Sequence, residues 1–376
     1  MKRDNECVTK TAMKRNTESN IKSDIDTVIS HKSALEYWRL HGNVKIVDVA
    51  GKRRNRLPAK IPNHGIIRDL VPSGLSYPVN LLVGSHNARR KSKIVAPRIF
   101  TGSTPKGCFI SIGGGMVVSA PPLCFIQMAY ELPLIKLIEL GFELCGSYSL
   151  HASTKHGTSL ADVNNSGPAD IDRTLYGHKQ LTNIKEIKEF TTHMKGMHGY
   201  KKALRAIRYI IDGSASPMET ILVMLLTLPY KLGGYELPAP ELNKRIDLGY
   251  AATLRPGSSF NKSVSSFVRS GRAYYVCDLF WPEVKLAVEY DSNFYHTGAD
   301  RIISDSEKRL DLNTLGINVI TVTSRQIRNI DEFENIAKLF ARKLHKRLRY
   351  KTPQFTDAKR ELRDLLFDHG RTSRDL

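Results

Sequence analysis

The feature that most limits how this 376-residue chain can fold is the segment RAYYVCDLFWPEVKLAVEYD at 272–291. Two apolar runs flank a turn at Pro282–Lys285, which is the pattern of a β-hairpin covered on both faces. Three acids are set into it, Asp278 in the first run and Glu289 and Asp291 in the second. Glu289 and Asp291 are two residues apart and leave the strand on one side, and closing the hairpin brings Asp278 beside them. A single strand acid is most often the solvent-facing half of an alternating pattern. Three acids gathered among apolar residues repel one another, and a hard divalent cation with oxygen ligands, Mg²⁺ (or Mn²⁺), removes that penalty. His296 follows in the next loop as a candidate general acid or base. ISDSEKRLDLNTLG then reads as a helix. It is expected to turn Lys308 and Arg309 toward a phosphate, with Asp305 holding His296 or a metal-bound water.

The flanking sequence predicts the rest of this domain, placed at 213–350. SASPMETILVMLLTL has Ser216 as N-cap, Pro217 as first helical residue and Glu219 as the carboxylate of a capping box. LNKRIDLG and INVITVTS read as strands, and DEFENIAKLFARKLHKRLRY as a helix with one apolar stripe. The expectation is an α/β (α+β) domain, a mixed sheet flanked by helices. Upstream, a smaller α+β domain is expected over 33–212, ending at the DGSAS punctuation near Gly213. From Ala34 to about Phe100, the runs NVKIVDVAG, GIIRDLV and YPVNLLVG alternate with basic turns and predict small antiparallel strands. GCFISIGGGMVVSAP predicts two strands about Gly113–Gly115, with no GK[ST] to make it a phosphate loop. Helices are predicted over PPLCFIQMAYEL, LPLIKLIELGFELCG, 183–194 and 200–211, with a surface loop from His151 to Thr182. A polar extension at 1–32 and a basic helix or tail at 351–376 complete the chain.

Charge names the expected partner. With 57 Lys and Arg against 37 Asp and Glu, the net charge of +20 draws in polyanions, above all DNA. Arg53, Arg54, Arg56, Arg89, Arg90 and Lys91 are the candidate DNA-binding residues, and the predicted last long helix adds Arg342, Lys343, Lys346, Arg347 and Arg349 without one acid. The five cysteines are odd in number, widely spaced and lack zinc spacing, so they read as buried thiols of a reducing compartment. With no apolar leader and no long apolar segment, the expected setting is cytoplasmic with no membrane contact, and a homodimer is an assembly open to the chain.

The order D-x10-E-x-D, then Tyr-His, then D-x-x-K-R and a LGINVITVT strand resembles the PD-(D/E)XK nuclease superfamily. Within it, 216–347 is most similar to the very-short-patch-repair endonucleases and a bacterial domain related to them. The resemblance implies a restriction-endonuclease-like fold and a metal-dependent endonuclease acting on DNA in repair or phage defence. It makes Asp278 and Glu289 metal ligands, Glu219 the helical acid that completes the site, and His296 the match of a repair-enzyme histidine. Asp291 stands where the superfamily has Lys and the repair enzymes His, and Ser292 stands where relatives have Gly. These departures keep a second reading open, a DNA-binding regulator or antitoxin on an inactive nuclease fold. YPVNLLVGSHNARRKSKIVAPRIF with GGGMVVSAPPLCFIQMAYEL resembles the AbiEi-type antitoxin and regulator proteins, which implies a DNA-contacting N-terminal half.

Overall fold

The computed structural model describes residues 27–42, 57–58, 61–88, 91–102, 104–150, 174–249, 273–291, 299–349 and 353–367. The chain divides into two compact units, one of residues 1–128, 151–171 and 190–198, the other of 129–150, 172–189 and 199–376. Both mix helix and strand, and the fold class is α+β.

In the first unit β1 (Thr27–Ile29) leads into α1 (His31–His41), followed by α2 (His64–Leu70), β2 (Val79–Val83), β3 (Val95–Ile99), β4 (Phe109–Gly113) and β5 (Met116–Ser119). The strands form one sheet in the order β3-β2-β1-β5-β4. Three expectations fail here. The stretch beginning at Ala34 is helical, because Ala34, Leu35, Tyr37 and Trp38 recur at helical spacing and all are buried. GIIRDLV is also helix, capped by Asn63, whose side chain accepts from the Gly65 N–H at 3.1 Å. Nor is the sheet uniformly antiparallel: β2 pairs β3 in parallel, and β1 pairs β5 in parallel. The Gly113–Gly115 turn is as expected, all three glycines having positive φ between antiparallel β4 and β5. NVKIVDVAG lies outside the described residues.

Next come α3 (Pro121–Glu131), α4 (Leu134–Leu144), β6 (Tyr148–Leu150), β7 (Thr174–Tyr176), α5 (Ile184–Thr192) and α6 (Tyr200–Ile207). The second unit continues with α7 (Pro217–Thr227), β8 (Glu241–Gly249), β9 (Ala273–Trp281), β10 (Leu286–Asp291), α8 (Ala299–Thr314) and β11 (Asn318–Thr323). It closes with α9 (Ser324–Arg328), α10 (Ile330–Lys343) and α11 (Pro353–Phe367). DGSAS is not a loose linker. Gly213 N–H donates to Cys145 O at 3.0 Å and Ser147 N–H to Ser214 O at 2.8 Å, and α4 packs on both α6 and α7. Two helices expected with the N-terminal domain, α4 and α6, therefore fall in the second unit, and so does Gly213.

The second sheet runs β11-β10-β9-β8, with β9 antiparallel to both neighbours and β10 parallel to β11. The β9–β10 hairpin turns as the sequence predicts, through a 3₁₀ turn at Pro282–Val284 and a left-handed Lys285. α8 makes the crossover between the parallel strands, and its Leu312 packs with Cys277, Phe280 and Ala287. Trp281, next to Phe280 and so on the other side of the sheet, meets Phe340 of α10 at 6.1 Å between ring centroids. α10 stops at Lys343 rather than continuing to Tyr350, and His345 is left-handed just beyond it. Cys108, Cys124, Cys145 and Cys277 are buried free thiols. Among the described residues no helix is long and apolar enough to cross a membrane.

Candidate active site

α8 and β10 fix the first contact by simple arithmetic. On α8, Lys308 lies four residues before Leu312, about 6 Å back along the same stripe. On β10, Glu289 lies two residues beyond Ala287, about 7 Å along the same side. Since Leu312 packs with Ala287, the next pair up must meet. Lys308 Nζ indeed donates to Glu289 Oε2 at 2.9 Å and to Val276 O at 3.0 Å, with Lys308 itself buried. The expectation that Lys308 faces a phosphate is corrected to this extent: its ammonium is held by Glu289. Glu289 Oε1 is buried without a hydrogen-bond partner.

Asp278 sits where β9 parts from β10. The β9–β10 pairing ends at Leu279 and Val288, and one step further the Tyr290 N–H donates to Asp278 Oδ2 at 2.7 Å instead of to a backbone carbonyl. Burial first, then the charges of Glu289 and Glu219, push the Asp278 carboxyl up from 3.8 to about 8, against smaller opposing effects of the Tyr290 N–H and Lys308. Metal-free, this acid carries a proton at neutral pH. The Cys277 thiol beside it is pushed up to about 12, by burial and then by Glu289.

Glu219 arrives from α7. Ser216 caps that helix as expected, its Oγ accepting the Glu219 N–H at 3.2 Å. The carboxylate reaches past the cap: Oε2 accepts from Ala215 N–H at 2.9 Å and from Asn243 Nδ2 at 2.8 Å. Glu219 is buried, and burial outweighs these bonds to raise its pKa, with Glu289 adding to the rise. Asp278, Glu289 and Glu219 thus form one electrostatically linked set with a single buried ammonium among them.

Asp291 closes β10 half-exposed opposite Thr323, and it is not among the charges acting on Asp278. Arg309 is exposed and turns to β11, donating to Thr321 Oγ1 at 2.6 Å, so it is not drawn into the set. Lys91 is exposed in the first unit. His296, Arg53, Arg54, Arg56, Arg89 and Arg90, together with the side chain of Asp305, lie outside the described residues. Asn243 is a participant that sequence reasoning misses. An Asn inside LNKRIDLG, in a strand where that residue type is depleted, is the available signal.

The donor set suits a hard cation: three carboxylates from three elements, one with an unpartnered buried oxygen. Among the described residues no group of three or more His, Cys, Asp or Glu side chains forms a ready-made metal cage. Each carboxylate is instead engaged by an N–H or an ammonium, and holding an ion requires side-chain rotation toward the Glu289 oxygen. No protein-family model, curated protein or solved structure matches the chain.

Proposed function

We propose that the second unit is a metal-dependent endonuclease hydrolysing DNA phosphodiesters, with Asp278, Glu289 and Glu219 holding Mg²⁺ or Mn²⁺ and Asp291 at the margin of the site. The observation that carries this reading is the gathering of one buried and two half-buried carboxyl groups, electrostatically linked, beside one buried ammonium, a costly cluster of acids that folding alone gives no reason to assemble. When bound, the ion supplies polarisation of the phosphoryl oxygen and acidification of an attacking water. Asp278 would have to give up its proton to hold the ion. Lys308 keeps Glu289 oriented. His296 is the proton carrier suggested by the sequence, with Arg309 at the rim. The net charge of +20 supplies the attraction for DNA, through phosphate contacts that fix position without reading sequence.

The test is cleavage of supercoiled, linear, single-stranded and mismatched DNA with Mg²⁺ or Mn²⁺. Asp278→Ala and Glu289→Ala are expected to abolish cleavage while leaving DNA binding intact. Undiminished cleavage by both variants would remove the assignment. The second reading, a DNA-binding regulator or antitoxin on an inactive fold, draws on Asp291 and Ser292 standing where relatives carry other residues. It predicts salt-dependent DNA binding by the wild type with no cleavage under either metal.

A further inference from the structure

Strand β8 departs from regular pairing at Asn243, apart from a register shift at Asp247–Gly249. Its pairing with β9 is regular at Leu242–Leu279 and at Lys244–Cys277, but the pair between them, Asn243 with Asp278, is missing. Asn243 has φ of +47°, a left-handed conformation in mid-strand. That conformation is strained for an L-residue, and Asn is among the few that visit it routinely. It persists only when the surroundings over-determine it. Two contacts do so here: Asn243 Nδ2 donates to Gly213 O at 2.9 Å and to Glu219 Oε2 at 2.8 Å, using both hydrogens of the amide. Gly213 is itself fixed through Cys145 O. The Ala215 N–H also ends on Glu219 Oε2, and the Ser216 side chain adds a further hydrogen bond to this carboxyl.

We propose that Asn243 is a positioning residue for the cation site: anchored on Gly213, its amide holds Oε2 of Glu219 and so fixes the orientation of that carboxylate beside Asp278 and Glu289. The inference rests on the cation reading given above. A strand residue with ordinary φ would pair with Asp278 across the ladder and could not reach back to α7. The strain at this position therefore serves to orient a carboxylate. Asn243 acts through Glu219 and touches no reacting atom.

The experiment is calorimetric titration of the full-length protein with Mn²⁺, free of DNA, for wild type, Asn243→Gly, Glu219→Gln and the double variant. Glycine keeps the left-handed backbone and removes only the amide. Asn243→Gly is expected to melt near the wild type without metal but to bind Mn²⁺ about tenfold more weakly, the usual cost of losing a residue that orients a ligand. Added to Glu219→Gln it is expected to cost nothing further, because both act through one carboxylate. Wild-type affinity in Asn243→Gly, or a loss that multiplies with that of Glu219→Gln, overturns the proposal. Should Asn243→Gly not fold, Asn243→Ser makes the same test with a side chain too short to span Gly213 and Glu219. If the wild type takes up no Mn²⁺, the cation reading falls and this inference with it. If Glu219→Gln weakens uptake while Asn243→Gly matches wild type, only the role of Asn243 falls.

Discussion

The first unit buries a knot of polar side chains around Asn80, and the second buries one around Asp278. In the first, Ser33 Oγ accepts from the Asn80 backbone N–H at 2.9 Å, Arg98 Nε donates to Asn80 Oδ1 at 2.9 Å, and Gln127 Oε1 accepts from the His31 N–H at 2.9 Å. The His31 ring lies 3.0 Å from Ser30 Oγ, and burial followed by the charge of Arg98 lowers its pKa from 6.5 to about 3. It is therefore neutral, and the knot joins mostly neutral donors to neutral acceptors, with Gln127 Nε2 left over. Around Asp278 three carboxylates meet one ammonium. Matched neutral groups complete a fold, whereas like charges pressed together are a cost that makes sense only if something else joins them. Both knots contain a left-handed non-glycine residue, His31 and Asn243, so backbone strain does not separate the two regions. Charge does.

The two knots part most visibly at Asp278. Asp278→Asn keeps an acceptor for the Tyr290 N–H but removes the acid, and cleavage is expected to fall by more than about 10³-fold, as for loss of a metal ligand in a metal-dependent hydrolase. The same variant should be the more stable protein without metal. The folded-state pKa of Asp278 lies above its ordinary value, so its stabilising share is complete below about pH 4 and is lost as pH rises through 8. At pH 7 the variant should gain on the order of 2 kcal/mol in denaturant unfolding. A structural carboxylate would give the opposite sign, and a destabilised Asp278→Asn would erase the contrast between the knots.

Cation uptake sharpens the difference. Because Asp278 must give up its proton to become a ligand, Mn²⁺ affinity should drop about tenfold for each pH unit below about 8, with roughly one proton released per ion. Titrations in buffers of differing ionisation enthalpy measure that proton directly. Affinity flat between pH 6 and 8 would mean that Asp278 is not in the coordination shell.

The legible parts of this molecule are those governed by neighbours in sequence. The acid spacing of the hairpin, the Ser216 cap and the Gly113–Gly115 turn follow from periods of two and from local hydrogen bonding, and all stand in the structure. What sequence reasoning loses depends on distant partners. α1 hides within a β-rich stretch because its Leu35 and Trp38 stripe is short and is buried by tertiary packing that includes the sheet. The partner of Lys308 is set by Leu312 packing on Ala287, a contact visible only once α8 crosses over the sheet. Asn243 escapes notice because its left-handed turn is enforced by Gly213 and Glu219, 30 and 24 residues away.

Acid should separate the two knots. The folded-state pKa of His31 lies below its ordinary value, so its share of stability is present above about pH 6.5 and is lost as pH falls toward 3, opposite in sign to Asp278. His31→Asn, which tolerates the left-handed backbone, should abolish about 1–2 kcal/mol of destabilisation between pH 7 and 5. The two tryptophans give separate reporters, since Trp38 is buried in the first unit on Ser119 O and Trp281 in the second on Pro238 O. Fluorescence of a Trp281→Phe background should show the His31 effect. Equal acid loss in His31→Asn and wild type would mean that the imidazole is already protonated.

The smallest effect belongs to the surface. From Asn335 to Thr356 the chain has no acid, and Arg342, Lys343, Lys346, Arg347 and Arg349 are exposed. Unlike Lys308, none of them enters a salt bridge among the described residues, so their charge is directed at solvent or at a partner. If DNA lies on this strip, Arg342→Gln with Lys346→Gln should reduce the slope of log affinity against log salt by about 0.9 for each phosphate no longer neutralised, and weaken binding only about two- to fivefold at moderate salt. Mn²⁺ uptake and turnover at saturating DNA should stay as in wild type, because neither cation touches the carboxylates. An unchanged slope would mean that the strip is merely solvated and that DNA is held elsewhere on the chain.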